Sequence, residues 1–274
     1  MPFIPLGDSN PRILLRYPWV TWGTMLACIL IFAWQASRGL QLSALEYGFI
    51  PAVFTGERRL PPELVELPPI LTLLTYNFLH GSTVHLLGNM LALWVFGDNI
   101  EDSMGHVRFL IFYLLCGVAA GLAHFAAHPD SQIPMIGASG AIFGLAGAYL
   151  VLHPKARILS LLVIVPLRLP AYLLIAVWFG YQFYAVFSGG DNFGNVAWWA
   201  HIGGFVAGLI LVFPFKRNTA VLFGGEPPPQ GIIQRRGYSA HDSRDRNPRR
   251  RRESTTSNAG EPPRRPKGPW DRSG

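Results

Sequence analysis

Charge is scarce in this chain. Asp, Glu, Lys and Arg make up 14% of its 274 residues, against roughly a quarter in an average soluble domain. Hydrophobic residues reach 50% and the mean hydropathy is +0.27, which excludes an ordinary water-soluble domain and fits a membrane protein. Cysteine is scarcer still. Cys28 and Cys116 both lie in apolar stretches without CxxC spacing, so helix packing rather than a disulfide framework is the expected role. Missing too are a His-Glu-x-x-His pair and an Asp at the centre of any apolar segment, Asp98 standing at the end of one. Intramembrane metalloprotease and paired-aspartate chemistries therefore lack their parts. The histidines share no ligand spacing, and neither a metal nor a cofactor is expected.

The formal charge of +7 belongs to one end of the chain. Residues 216–274 hold fourteen Lys/Arg against six Asp/Glu, whereas residues 1–215 hold nine against ten. The region beyond about Gly224 is rich in Pro, Arg, Ser and Gly without periodicity, and it reads as a disordered cytoplasmic tail. Its arginine run at 249–252 is able to touch anionic headgroups, at about 1 kcal/mol per charge near the surface. A merely solvated tail is the plainer alternative. No nucleic-acid partner is expected.

A helix that spans a bilayer needs about 20 apolar residues. Six segments qualify: 18–37, 83–99, 107–127, 137–153, 169–187 and 198–215. The first, with no clear small-residue cleavage site behind it, reads as a retained signal-anchor. The expected class is an all-α membrane protein with a six-transmembrane-helix bundle over 18–215. A cytoplasmic segment over 1–17 precedes it and the basic tail over 216–274 follows. The stretch 157–170, broken by Pro166, Arg168 and Pro170, reads as a loop on the bundle or at the interface. Lys and Arg cluster before the first segment, at the second-to-third turn, between the fourth and fifth, and in the tail. Both termini are therefore expected in the cytoplasm. The connection 38–82 becomes a long outer loop with structure of its own. A bacterial cytoplasmic membrane is the expected setting.

With that topology, polar groups on three helices fall at one depth, toward the outer side. His85 and Asn89 open the second span, Ser139 the fourth, and His201 the sixth. Gly140, Gly144 and Gly147 line one face of the fourth helix, and Gly204 and Gly208 repeat the small-residue spacing on the sixth. Such faces let backbones approach closely. If they meet, Ser139 and His201 come within hydrogen-bond reach. Glycine motifs also pack helices that catalyse nothing, with Ser or His simply bridging them. In the catalytic reading, neutral His201 takes the proton of the Ser139 nucleophile as general base. The sixth span holds no Asp or Glu, so the arrangement has two members. The Ser139 backbone N–H at the positive end of its helix, with His85 and Asn89 one turn apart, would bind the oxyanion. His80, five residues before His85, is expected at most to support these groups from behind or to line the cavity.

These residues resemble the rhomboid family of intramembrane serine proteases. His85-Leu86-Leu87-Gly88-Asn89 is similar to the family's HxxxN, Gly137-Ala138-Ser139-Gly140 to its GxSG, and Ala200-His201-Ile202-Gly203-Gly204 to its AHxGG. The resemblance covers about residues 15–215. It implies the six-helix fold, Ser139 as nucleophile, His201 as base, and His85 and Asn89 at the oxyanion. The implied substrates are single-pass membrane proteins, cut within or near the outer part of their membrane segment after lateral entry between the second and fifth spans. Two features depart from the pattern. Phe143 stands where several members have a Tyr that stacks on the histidine, and the first loop lacks a Trp-Arg pair. The rival readings are a catalytically silent rhomboid-like protein that binds membrane clients and a small transporter. Retention of Ser139 and His201 speaks against the first. The second would need coupling charges near the midplane and an internal repeat.

Overall fold

The computed structural model describes residues 3–162, 165–188, 196–220 and 222–224. The chain is divided after Pro227. All described residues belong to the first part, and the expected tail lies almost wholly outside them. The fold is mostly helical. Strand β1 (Phe3–Asp8) leads to α1 (Trp19–Arg38), and α2 (Leu40–Tyr47), α3 (Pro51–Phe54) and α4 (Pro69–Thr75) structure the long connection. Then come α5 (Thr83–Met104), α6 (His106–Ala127), α7 (Ser139–Leu152), strands β2 (Arg157–Leu162) and β3 (Val165–Pro170), α8 (Ala171–Phe187) and α9 (Trp198–Phe215). Among the described residues α1, α6 and α9 are long and apolar enough to cross a membrane, and α7 and α8 are shorter apolar helices. The protein is an integral membrane protein.

The bundle is built around α7. Only Ser139 and Leu150 of its fourteen residues escape burial, so this helix is apolar all round, as a central helix must be. Its neighbours need close backbone approach to reach it, and the glycines provide that. An added Cβ on Gly204 would fall on the carbonyl oxygen of Gly140, and one on Gly208 on that of Gly144. A Cβ on Gly147 would stand 2.5 Å from the carbonyl oxygen of Phe205. Cys116, expected to be a packing residue, is buried beside Gly144.

The all-α expectation is corrected at the other end of the bundle. β1 pairs antiparallel with β2, and β2 with β3, in the order β1-β2-β3. The stretch expected as a loop is thus a hairpin. Pro166 and Pro170 fit there because β3 is an edge strand, where a missing N–H is tolerated. The helix expected from Leu169 begins at Ala171. The second expected segment also runs longer, to Met104, because its terminal carboxylates have partners. Asp102 accepts from the N–H groups of Ile13 and Leu14 at 2.9 and 2.8 Å. Glu101 accepts from Val20 and Thr21 at 3.0 and 2.8 Å. The first-turn amides of α1, preceded by Pro18 with no capping side chain, are satisfied in this way.

Asp8 joins this cluster, accepting from Asn99 at 2.7 Å and from the Tyr149 hydroxyl. Burial lifts its carboxyl from 3.8 to about 7, and the Asp98 carboxylate adds to the rise. Between about pH 4 and 7 the folded protein therefore holds a proton that the unfolded chain has released, so stability falls as pH rises through that window. An Asn at this position keeps an acceptor for both partners without the proton linkage. Thermal unfolding in detergent between about pH 5 and 8 is expected to show a smaller decline in Tm for Asp8→Asn than for the unaltered protein. Parallel curves would refute the linkage.

Candidate active site

α7 begins where the backbone turns sharply. Gly137 has φ +127°, a region that side-chain-bearing residues rarely adopt. Its N–H donates to the carbonyl of Tyr76 at 2.9 Å. A Cβ on Gly137 would lie 2.7 Å from the His85 ring, so the glycine also makes room for that imidazole. Ser139 is the first residue of α7. The amides of this opening turn lack carbonyl partners within their own helix and carry the positive end of its dipole.

The glycine contacts bring α9 against α7 backbone to backbone, and the result is read at the end of both helices. His201 Nε2 stands 2.9 Å from Ser139 Oγ. The imidazole is buried, 5% exposed, whereas Ser139 is half-buried. Phe143 stacks on the His201 ring with centroids 4.5 Å apart and planes at 19°, and Trp198 meets it edge-on at 6.1 Å. A hydroxyl within hydrogen-bond distance of an imidazole nitrogen is the geometry that proton removal from a nucleophile needs.

α5 supplies the other polar groups. Ser82 caps it, accepting from the His85 N–H at 3.1 Å. His85 is half-buried and Asn89, one turn on, is buried. Asn89 Nδ2 lies 3.0 Å from His80 Nε2. A Cβ on Gly137, two residues before the serine, would lie 3.6 Å from Asn89 Nδ2. His85 and Asn89 thus border the turn that carries Ser139.

All the residues singled out in the sequence, namely His85, Asn89, Gly137, Ser139, Gly140, Phe143, Gly144, His201, Gly204 and Gly208, meet at or beneath this one site. Sequence reasoning missed one neighbour, Gln182, and gave another, His80, a supporting or cavity-lining place. His80 is fully buried and holds Asn89, which is the supporting place. Gln182 on α8 places its Oε1 2.7 Å from His201 Nδ1, so the imidazole has a partner on each nitrogen. Its signal was present in the spacing: Ala171, Leu174, Ile175, Trp178, Gln182 and Ala185 form the buried stripe of α8, and Gln182 interrupts an otherwise apolar series.

Residues 69–218, just over half of the chain, match the Rhomboid domain family. The chain is 39% identical over 142 residues to RHOMBOID-like protein 4 of Arabidopsis thaliana, covering 52% of this chain and 33% of that protein. It is 37% identical over 142 residues to Rhomboid protease GluP of Bacillus subtilis (strain 168), covering 52% and 26%. Rhomboid protein 1, mitochondrial, of Saccharomyces cerevisiae is 31% identical over 137 residues, covering 48% and 38%. The matched part spans less than half the length of each of these relatives.

Proposed function

Because the chain belongs to the rhomboid family, we propose that it is an intramembrane serine endopeptidase that cuts single-pass membrane proteins within or near the outer part of their membrane segment. The contact that carries this reading is the 2.9 Å approach of His201 Nε2 to Ser139 Oγ. In the proposed reaction Ser139 Oγ attacks the scissile carbonyl as His201 takes its proton. The tetrahedral oxyanion is held by the Ser139 backbone N–H, His85 and Asn89. Asn89 has two amide hydrogens, so one can remain on His80 while the other turns to the oxyanion. His201 then protonates the leaving amine, an acyl-Ser139 remains, and a water activated by the same imidazole releases it.

The topology in this reading has six crossings over 18–215, formed by α1 and α5–α9, with both termini in the cytoplasm. A bacterial inner membrane suits it, and lipid is its environment. The short α7 sets the depth. Fourteen residues rise about 21 Å, against about 30 Å of hydrocarbon. With its far end at one face, Ser139 lies several ångströms below the other. A substrate helix must unwind to present a peptide bond there, and helix-breaking residues lower that cost.

The test is purified protein in liposomes with a model single-pass substrate. A new cut in the outer part of the substrate's membrane segment is expected, together with covalent labelling of Ser139 by a fluorophosphonate. His85→Ala and Asn89→Ala are each expected to lower kcat by up to about a hundredfold, the lower end of what one oxyanion donor supplies. The absence of both cleavage and labelling in the unaltered protein would refute the proposed activity. Unchanged rates in both variants would remove them from the oxyanion role.

A further inference from the structure

Gln182 is fully buried on α8, and an amide placed in an apolar helix face is unfavourable unless it is paired. Its pairing has a direction. The Gln182 Nε2 group donates to the backbone carbonyl of Trp178 one turn earlier, at 3.0 Å. That bond fixes which end of the amide points onward, and Oε1 faces His201 Nδ1 at 2.7 Å. Oε1 can only accept, so Nδ1 must carry the ring proton. Nε2 then keeps its lone pair toward Ser139 Oγ, 2.9 Å away. A backbone carbonyl on α8 thus determines the tautomer of a histidine on α9 that faces a serine on α7.

We infer that Gln182 is the positioning residue of the Ser139–His201 pair, holding His201 as the Nδ1–H tautomer with its bare nitrogen on the serine. The inference rests on the proposed reading of that pair. Phe143 and Trp198 fix the plane of the ring, but ring contacts do not distinguish one nitrogen from the other. The amide does. A carboxylate here would also stabilise the imidazolium, at the expense of burying a charge in a water-poor site. The neutral amide supplies orientation, with its oxygen turned to the ring edge that becomes more positive as the proton moves.

The experiment compares Gln182→Met, which fills similar space without an acceptor, with Gln182→Glu. The carboxylic acid form of the latter keeps both an acceptor for Nδ1–H and a donor for the Trp178 carbonyl. Gln182→Leu serves as a second non-accepting variant if Gln182→Met does not fold. The expected result for the non-accepting variant is a fall in kcat of about ten- to a hundredfold, in the range that partners orienting a functional histidine supply. KM should be little changed, and Tm should fall modestly because the buried Nδ1–H of His201 loses its acceptor. Fluorophosphonate labelling of Ser139 should slow by the same factor, and Gln182→Glu should recover most of both rates. Histidine ¹⁵N NMR should show His201 protonated at Nδ1 in the unaltered protein and distributed between the two nitrogens in the non-accepting variant. Labelling of the unaltered protein with equal rates in Gln182→Met overturns this inference alone, as do equal losses in the Met and Glu variants. An unaltered protein that neither cleaves nor labels overturns the catalytic reading and the inference with it, while NMR still reports the tautomer.

Discussion

Ser139→Ala is expected to abolish proteolysis while leaving the fold in place. Removal of the nucleophile from a serine protease leaves only what binding and the oxyanion donors can do, a loss of about 10⁶ in kcat. The structural loss is small by comparison. Oγ belongs to a half-buried side chain and its removal deletes one hydrogen bond, to His201, worth about 1 kcal/mol. His201 keeps its bond to Gln182 and its stack on Phe143. His201→Ala should silence the protein equally but is the less clean variant. It opens a space against Phe143 and strands the buried Gln182 carbonyl, a penalty of about 1–3 kcal/mol. The measurement is cleavage in liposomes alongside thermal unfolding in detergent. Turnover by Ser139→Ala would end the mechanism, and a large fall in its Tm would mean that the serine is structural.

The serine and its histidine were legible in sequence because the information they carry is local. A membrane helix declares itself by apolar length, so the ranges expected for the third and sixth spans agree closely with α6 and α9. The glycine spacing announced which faces would meet, and Gly204 against Gly140 is that meeting. The sheet was illegible for the opposite reason. β2 finds one partner in β1, with Ile4 against Leu161 and Asp8 against Ile158, and no local pattern encodes a pairing across that much chain. The same distance hid the end of α5. Asp98 stood at the end of the expected segment, and what carries the helix past it is distant in the chain: Arg12 pairs with Asp98, and N-terminal backbone amides satisfy Glu101 and Asp102. Gln182 combines both cases: its helical face could be counted out, but its role depends on a carbonyl of its own helix and an imidazole of another.

Gly204→Val is expected to be the most damaging substitution outside the chemical groups, and it tests whether the fold and the site share one contact. The added Cβ would fall on the Gly140 carbonyl oxygen, a backbone atom that cannot swing aside as a side chain can. α7 and α9 must therefore separate. The contact lies next to the site, since Gly140 follows Ser139 and Gly204 is one turn beyond His201. A separation that relieves the clash thus moves Nε2 away from Oγ. A misplacement of about 1 Å is enough to lose about a hundredfold in rate. Overpacking adds about 1–3 kcal/mol of destabilisation, so Tm should fall with activity. Gly180→Ala is the control. It sits on exposed helical surface with nothing within 4 Å of its added Cβ, and its expected effect is a gain of up to about 1 kcal/mol in stability with cleavage unchanged. If Gly204→Val kept both its Tm and its rate, the backbone contact between α7 and α9 could not be what holds His201 on Ser139. Loss of rate at constant Tm would place the strain in the site alone. Loss of both, beside an unaffected Gly180→Ala, would show that the glycine face which packs these two helices also sets the distance between the nucleophile and its base.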